Sequence, residues 1–297
     1  MANLYQERSA NVWKTWGLMV GFFLLIIAVG WAVSWYYGSP TILYGAVIFS
    51  ILMNVGSYWF SDKLVLSMTH AKPATRAEHF DLYTVTENLA ITAGLPMPKL
   101  YVVEDPAPNA FATGRDEKHA VVAATTGLLA MMNRAELEGV IAHELSHIQN
   151  KDMLVMTVAV VLAGFLAIIA DIFLRMSMFG GGDRDSGKGG ALFAVLAIVG
   201  IILAPIAAQL IQLAISRRRE YLADSSGALL TRYPEGLASA LAKIGSYSAP
   251  MLHASHATAH LFIGNPFGSR AASFTNKLFA THPPVEDRIN KLLGKNA

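Results

Sequence analysis

From Thr15 to Ser61 the chain carries no Asp, Glu, Lys or Arg. A run of that length does not fit the surface of an ordinary soluble domain, in which about a quarter of the residues are charged. A Gly38-Ser39-Pro40 break divides it into two apolar stretches, residues 16–37 and 41–61, each long enough to cross a hydrocarbon layer roughly 30 Å thick. The run predicts a transmembrane hairpin. A cleaved signal peptide fits less well, because its apolar region is usually shorter than the first stretch and is not followed at once by a second.

Two more apolar stretches lie further on. Met153 to Leu174 is interrupted only by Asp171, and Ala191 to Ser216 has no charge, with a glycine-rich polar loop between them at 180–190. With the hairpin they make four spans; the alternative for this later pair is two buried core helices. Asp171 suggests that part of the third span packs on protein, since a carboxylate at the membrane edge needs a partner or water. Overall 54% of the residues are hydrophobic and 15% charged, so much of the chain is solvated by lipid. Arg8 and Lys14 precede the first span, Lys63, Lys72 and Arg76 follow the second, and Arg217, Arg218 and Arg219 follow the fourth, against no positive residue in the turn at 38–40. That asymmetry places both termini, residues 62–152 and residues 217–297 in the cytoplasm, although Arg175, Arg184 and Lys188 in the outer loop run against it. The absence of cysteine excludes disulfides and thiolate metal sites. A net charge of +2, with no basic array away from the membrane edge, gives no reason to propose nucleic acid.

Ahead of the third span stands His143-Glu144-Leu145-Ser146-His147. Two histidines four residues apart on a helix lie about 40° apart around its axis and roughly 6 Å apart along it, so both imidazoles can meet one tetrahedral Zn²⁺. Glu144 then sits beside the open metal position, placed to take a proton from water and return it to a leaving amine. Asn133 and Glu136 have the spacing of a capping box, and Leu137, Ile141, Leu145 and Ile148 form one apolar stripe with His143, Glu144 and His147 on the opposite side. The alternative is a surface helix with two solvated histidines. A third ligand is available in Glu220, on a separate helix, and Asp224 one turn later can accept the other ring N–H of a ligand histidine. The competing reading is a solvated acidic pair beside three arginines. One Zn²⁺ per chain is therefore expected. His253, His256 and His260 repeat part of the histidine spacing, but no glutamate follows His256 and no further carboxylate motif remains, so they read as a loop near the cleft or the membrane surface.

The segments outside the spans mix helix and strand signals. A capping box at Thr75 and Glu78 opens a helix expected through Ala93; Lys99 to Glu104, Ala110 to Thr113 and His119 to Ala124 read as strands of a small antiparallel sheet; Pro234 and Pro284 open later helices. The expected fold is α+β: a mainly helical membrane protein with four transmembrane helices and a zincin-like catalytic domain. Its divisions are a hairpin at 1–61, a first half of the protease domain at 62–152, a second helix pair at 153–216 and a second half at 217–297.

Four motifs, Pro108-Asn109-Ala110-Phe111-Ala112-Thr113-Gly114, the His143 pentapeptide, Glu220 to Asp224, and Thr281-His282-Pro283-Pro284 with Arg288, together resemble the HtpX-type membrane zinc proteases, related to the type I CAAX prenyl endopeptidase. The resemblance implies a bacterial membrane protein, in the inner membrane where there are two, that cleaves damaged or misassembled membrane proteins at a cytoplasmic zinc site. It also implies that Asn109 and Ala110 line the substrate cleft, where an edge strand pairs with an extended backbone, the alternative being an ordinary turn before a strand. His282 would stabilise the oxyanion or, alternatively, cap the last helix, and Arg288 would brace that helix. The protein is thus expected to be a zinc endopeptidase acting on protein substrates at the lipid bilayer. A non-catalytic zinc-binding scaffold or transporter is the rival from another class, and nothing in the sequence speaks to oligomeric state.

Overall fold

A computed structural model describes residues 4–179, 198–199, 201–203, 205–206, 217–253, 255, 258–268 and 283–295. The charge-free run forms two helices, α1 (Leu4–Tyr37) and α2 (Pro40–Trp59), with Pro40 in the first turn of α2, where a missing N–H costs nothing. Trp13, Trp16, Trp31, Trp35, Tyr36 and Tyr37 are exposed along α1. The rise from Trp16 to Trp35 is about 28 Å at helical spacing, so the aromatic residues stand near the two edges of a hydrocarbon layer.

Three helical segments among the described residues are long and apolar enough to cross a membrane: Ser9–Tyr37, Pro40–Trp59 and Asp152–Ile172. The third lies in α7 (Asp152–Phe179) and differs from the others, with 72% of its apolar window buried against 22% and 11%. Its first turns pack Leu154, Val155, Val158, Ala159 and Leu162 on Leu18, Phe22 and Ile26 of α1. Asp171 does not mark that packing; it is exposed and pairs with Arg175 one turn later at 2.7 Å. The glycine-rich loop and most of the expected fourth span lie outside the described residues.

After α2 come α3 (Ser61–Met68), β1 (Lys72–Pro73), α4 (Phe80–Ala93), β2 (Lys99–Val103), β3 (Ala110–Thr113), β4 (Val121–Thr125), α5 (Thr126–Met131) and α6 (Arg134–Gln149). The Thr75 and Glu78 box closes only one turn, which breaks at His79 (φ −127°, ψ 52°), so α4 starts later than its capping signal. The sheet has the order β1-β2-β4-β3 and is mixed, which corrects the expected antiparallel arrangement. The segment at 104–109 carries the chain past the position of β4, so β4 returns between its predecessors, antiparallel to β3 and parallel to β2. Central placement explains why Val121 to Thr125 are all buried and read as a continuous apolar run.

The core beside this sheet is built around α6, which packs on α4, α8 (Arg217–Thr231) and α9 (Pro234–Ser246); α10 (Val285–Leu292) closes the described chain. Close approach of α9 depends on Gly139, where a Cβ would lie 2.6 Å from the backbone nitrogen of Leu237. Gly139→Ala is expected to destabilise the protein by about 1 to 3 kcal/mol through overpacking, although alanine is the better helix former. Thermal unfolding in detergent followed by circular dichroism checks this, and an unchanged or raised midpoint would refute it.

Candidate metal centre

The capping box at the start of α6 closes in both directions, with Asn133 Oδ1 accepting from Glu136 N at 3.0 Å and Glu136 Oε2 from Asn133 N at 2.9 Å. Glu136 also accepts from Ser239 and Lys243, each at 2.6 Å, which ties α9 to the same point. Beyond it the helix is buried on both faces: Leu137, Ile141, Leu145 and Ile148 enter the core, and His143, Glu144 and His147 are no more than 5% exposed. The polar face therefore looks into the protein. Gly227 lets α8 lie directly on it, since a Cβ there would be 3.0 Å from the His143 nitrogen.

This approach brings Glu220 to the histidines. His143 Nε2 and His147 Nε2 are 3.2 Å apart, with Glu220 oxygens 3.9 Å and 3.6 Å from them. The far side of each ring faces a carboxylate: His143 Nδ1 is 3.0 Å from Asp224 Oδ1, and His147 Nδ1 is 3.2 Å from Asp152 Oδ2. A neutral imidazole has one N–H, so donating from Nδ1 leaves the Nε2 lone pair pointing inward. Two such lone pairs and a carboxylate then converge, one donor atom from each of His143, His147 and Glu220 lying within 4.8 Å of the others. Buried donors of this kind repel one another until a cation sits among them, and two imidazole nitrogens with one carboxylate oxygen suit Zn²⁺ with an open position. The residues present fit the metal.

The charge around this point is set by burial, by the neighbouring carboxylates and by buried arginines, chief among them Arg288. Arg288 is 1% exposed and donates to Asp224 from Nε and Nη2, at 2.8 and 2.7 Å, while its Nη1 donates to Ile263 O at 3.0 Å and stands 3.7 Å from Glu220. It does more than brace the last helix: it is the buried cation that grips Asp224. Burial raises the Asp224 carboxyl, but the charge and hydrogen bonds of Arg288 outweigh it and hold Asp224 below the usual carboxylate range. Burial lowers His143 despite its bond to Asp224. For His147 burial also opposes the charged form, yet the hydrogen bond to Asp152 and the charge of Glu220 lift it to about 9 in the metal-free protein. Burial pushes Glu144 up to about 7, and its Oε1 has no hydrogen-bond partner among the described residues.

Asp152 went unnoticed in the sequence. Its signal was a single charge five residues after His147 at the start of an apolar span, where Lys151 turns with φ +57° and swings the new helix back under the ring. Asn109 and Ala110 are buried at the edge of the sheet and already engaged: the Asn109 side chain bonds Gly264 in both directions at 3.0 Å, and Ala110 O accepts from Ile263 N at 2.9 Å. His253 stacks on His70 with ring centroids 4.4 Å apart, and His260 is buried in the short turn Ala259–Leu261. His256 and His282 lie outside the described residues.

The profile of peptidase family M48 matches residues 76–296. The chain belongs to peptidase family M48. A protease HtpX homolog of Caldanaerobacter subterraneus subsp. tengcongensis is 50% identical over 295 residues, covering 97% of both chains, and one of Thermococcus sibiricus is 48% identical over 288 residues, covering 95% of both. Among solved structures, that of S. mikatae Ste24p resembles the chain in fold, with a TM-score of 0.50 and 18% identity. It matches 97% of this chain, which spans 66% of that protein's length. M48 membership and the apolar helices make the chain a membrane metalloprotease.

Proposed function

We propose that this M48 protein is a zinc endopeptidase that hydrolyses peptide bonds of membrane proteins at the cytoplasmic face, in the quality control of misassembled membrane proteins. The convergence of His143, His147 and Glu220 on one buried point, with Glu144 beside it, carries the reading. These three residues would hold one Zn²⁺, which when bound supplies a Lewis acid for the scissile carbonyl and for water. Glu144 takes the proton from the attacking water and hands it to the leaving amine, and burial, which raises its carboxyl, makes it a better base than an exposed carboxylate. Asp224 and Asp152 hold the rings in the tautomer that presents Nε2. The backbone groups of Asn109 and Ala110 are taken up within the protein, so these two residues would shape the wall of the substrate cleft, and His282 is the candidate donor to the oxyanion. The protease names of the relatives support the reaction class, and the flanking positive residues support the orientation.

Purified protein in detergent is expected to degrade casein or a destabilised membrane protein, to stop with a chelator, and to recover with Zn²⁺. A protein that holds zinc and never cleaves would instead be a scaffold. Single cysteines at Ser39 and Ser225 test the orientation: an impermeant thiol reagent applied to intact cells should label only Ser39→Cys, and the reverse pattern would overturn it. A protonated His147 must give up its proton to bind metal. Metal uptake at pH 7.5 is therefore expected to release about one proton per chain and to weaken as the pH falls below the value of about 9 for that ring. Calorimetry in buffers of different ionisation enthalpy measures this, and uptake with no proton release would contradict it.

A further inference from the structure

Asp152 is joined to the membrane hairpin. Asn11, near the start of α1, is fully buried, and its Nδ2 donates to Asp152 Oδ1 at 2.6 Å and to the carbonyl of Asn150 at 3.1 Å. Its Oδ1 accepts from Arg219 at 3.4 Å, and Arg219 Nε stands 3.6 Å from Asp152 Oδ1. The other Asp152 oxygen meets His147 Nδ1 at 3.2 Å. Asp152 and Arg219 are 1% and 4% exposed, so none of these groups can exchange its partner for bulk water. One amide thus holds the C-cap residue of α6, the first residue of α7 and the arginine next to Glu220. It does so from a helix that otherwise meets α7 through apolar side chains such as Phe22.

We propose that Asn11 and Asp152 are positioning residues for the metal centre, and that the membrane hairpin, through Asn11, holds the His147 imidazole in its ligating orientation. The physical reason is directional. A carboxylate with one oxygen tied by Asn11 and Arg219 has only the other left to receive the ring N–H, which fixes both the tautomer and the plane of the imidazole. Apolar packing of α1 on α7 cannot do this, because it is indifferent to rotation of a carboxylate. On this view the hairpin is part of the site as well as its anchor.

The inference rests on the zinc reading, and the test separates the two. Full-length protein in detergent is titrated with Zn²⁺ against a competing chelator, and the visible spectrum of the Co²⁺-substituted protein is recorded. His147→Ala is expected to lose the metal; if it binds zinc as tightly as the parent, the zinc reading itself fails. With that control in place, Asp152→Asn is expected to weaken zinc binding by about 10- to 100-fold and to alter the Co²⁺ spectrum. Asn11→Ala should weaken it in the same direction by less, and the double variant should lose little more than Asp152→Asn alone, since both act through one ring. Phe22→Ala disturbs the same helix contact without touching these hydrogen bonds, and should leave affinity and spectrum unchanged. Unchanged affinity in Asp152→Asn or Asn11→Ala, or an equal loss in Phe22→Ala, would overturn the proposal. Should Asn11→Ala not purify as a folded protein, Asn11→Gln, whose longer side chain misplaces the amide, is judged by the same criterion.

Discussion

Glu144→Gln is expected to lower the rate of proteolysis by about 10²- to 10⁴-fold and to leave one zinc per chain. Glutamine keeps the size of the side chain and so does not disturb the packing of α6, which is buried on every side at this point. What it lacks is a group that can accept a proton from water and return it. Glu144 lies outside the trio of His143, His147 and Glu220, so its charge is not needed to hold the metal. Steady-state cleavage of a fluorogenic peptide, with metal analysis of the same preparation, decides the matter. Loss of zinc together with activity would show that Glu144 is a ligand.

Arg288→Met carries the largest expected cost in stability, on the order of 3 to 5 kcal/mol, because it takes from the buried Asp224 carboxylate the guanidinium that grips it. Its pH dependence follows from the depressed carboxyl of Asp224. The ion pair contributes fully above the unfolded carboxylate value of about 3.9, and its contribution is lost as the pH falls through the lower folded value. In the variant burial is opposed only by the contact with His143, so Asp224 takes up a proton more readily as the pH falls and the buried charge is relieved. The gap between parent and variant should be widest near neutrality and narrow toward acid. Urea unfolding of the metal-free forms between pH 4 and 8 measures it, and a gap independent of pH would mean that Arg288 acts by packing alone.

Much of the site is legible in one dimension. The His143 pentapeptide and the Asn133 capping box are devices of helical spacing, and each closes within a single helix. Glu220 and Asp224 were also legible as a pair, since both lie on one face of one helix and both meet His143. Asp152 was not, and Arg288 was named through the resemblance only as a brace for the last helix. Asp152 reads as the polar end of an apolar span, and only the turn at Lys151 brings it back to His147. The spacing of Arg288 gives no hint that it reaches His143, 145 residues away, which it does because α10 docks on the face of α8 that carries Asp224. The sheet was misjudged for a related reason: three short strands in sequence suggest neighbours paired in order, whereas β4 inserted itself between β2 and β3.

By itself the sequence determined the elements whose cause is local: the apolar helices, from the absence of charge; the α6 cap; the spacing of two ligands and a base; and the separate helix that supplies a third. Tertiary structure alone decided how those pieces are oriented and neutralised. A buried histidine or carboxylate needs a partner, but chain spacing does not specify one that lies far along it. Asn11 meets Asp152 across 141 residues and Arg288 meets Asp224 across 64, contacts that exist only because the hairpin packs on α7 and α10 packs on α8. Helix periodicity repeats every few residues and is written in the order of side chains, whereas the pairing of buried charges is settled by which surfaces exclude water together.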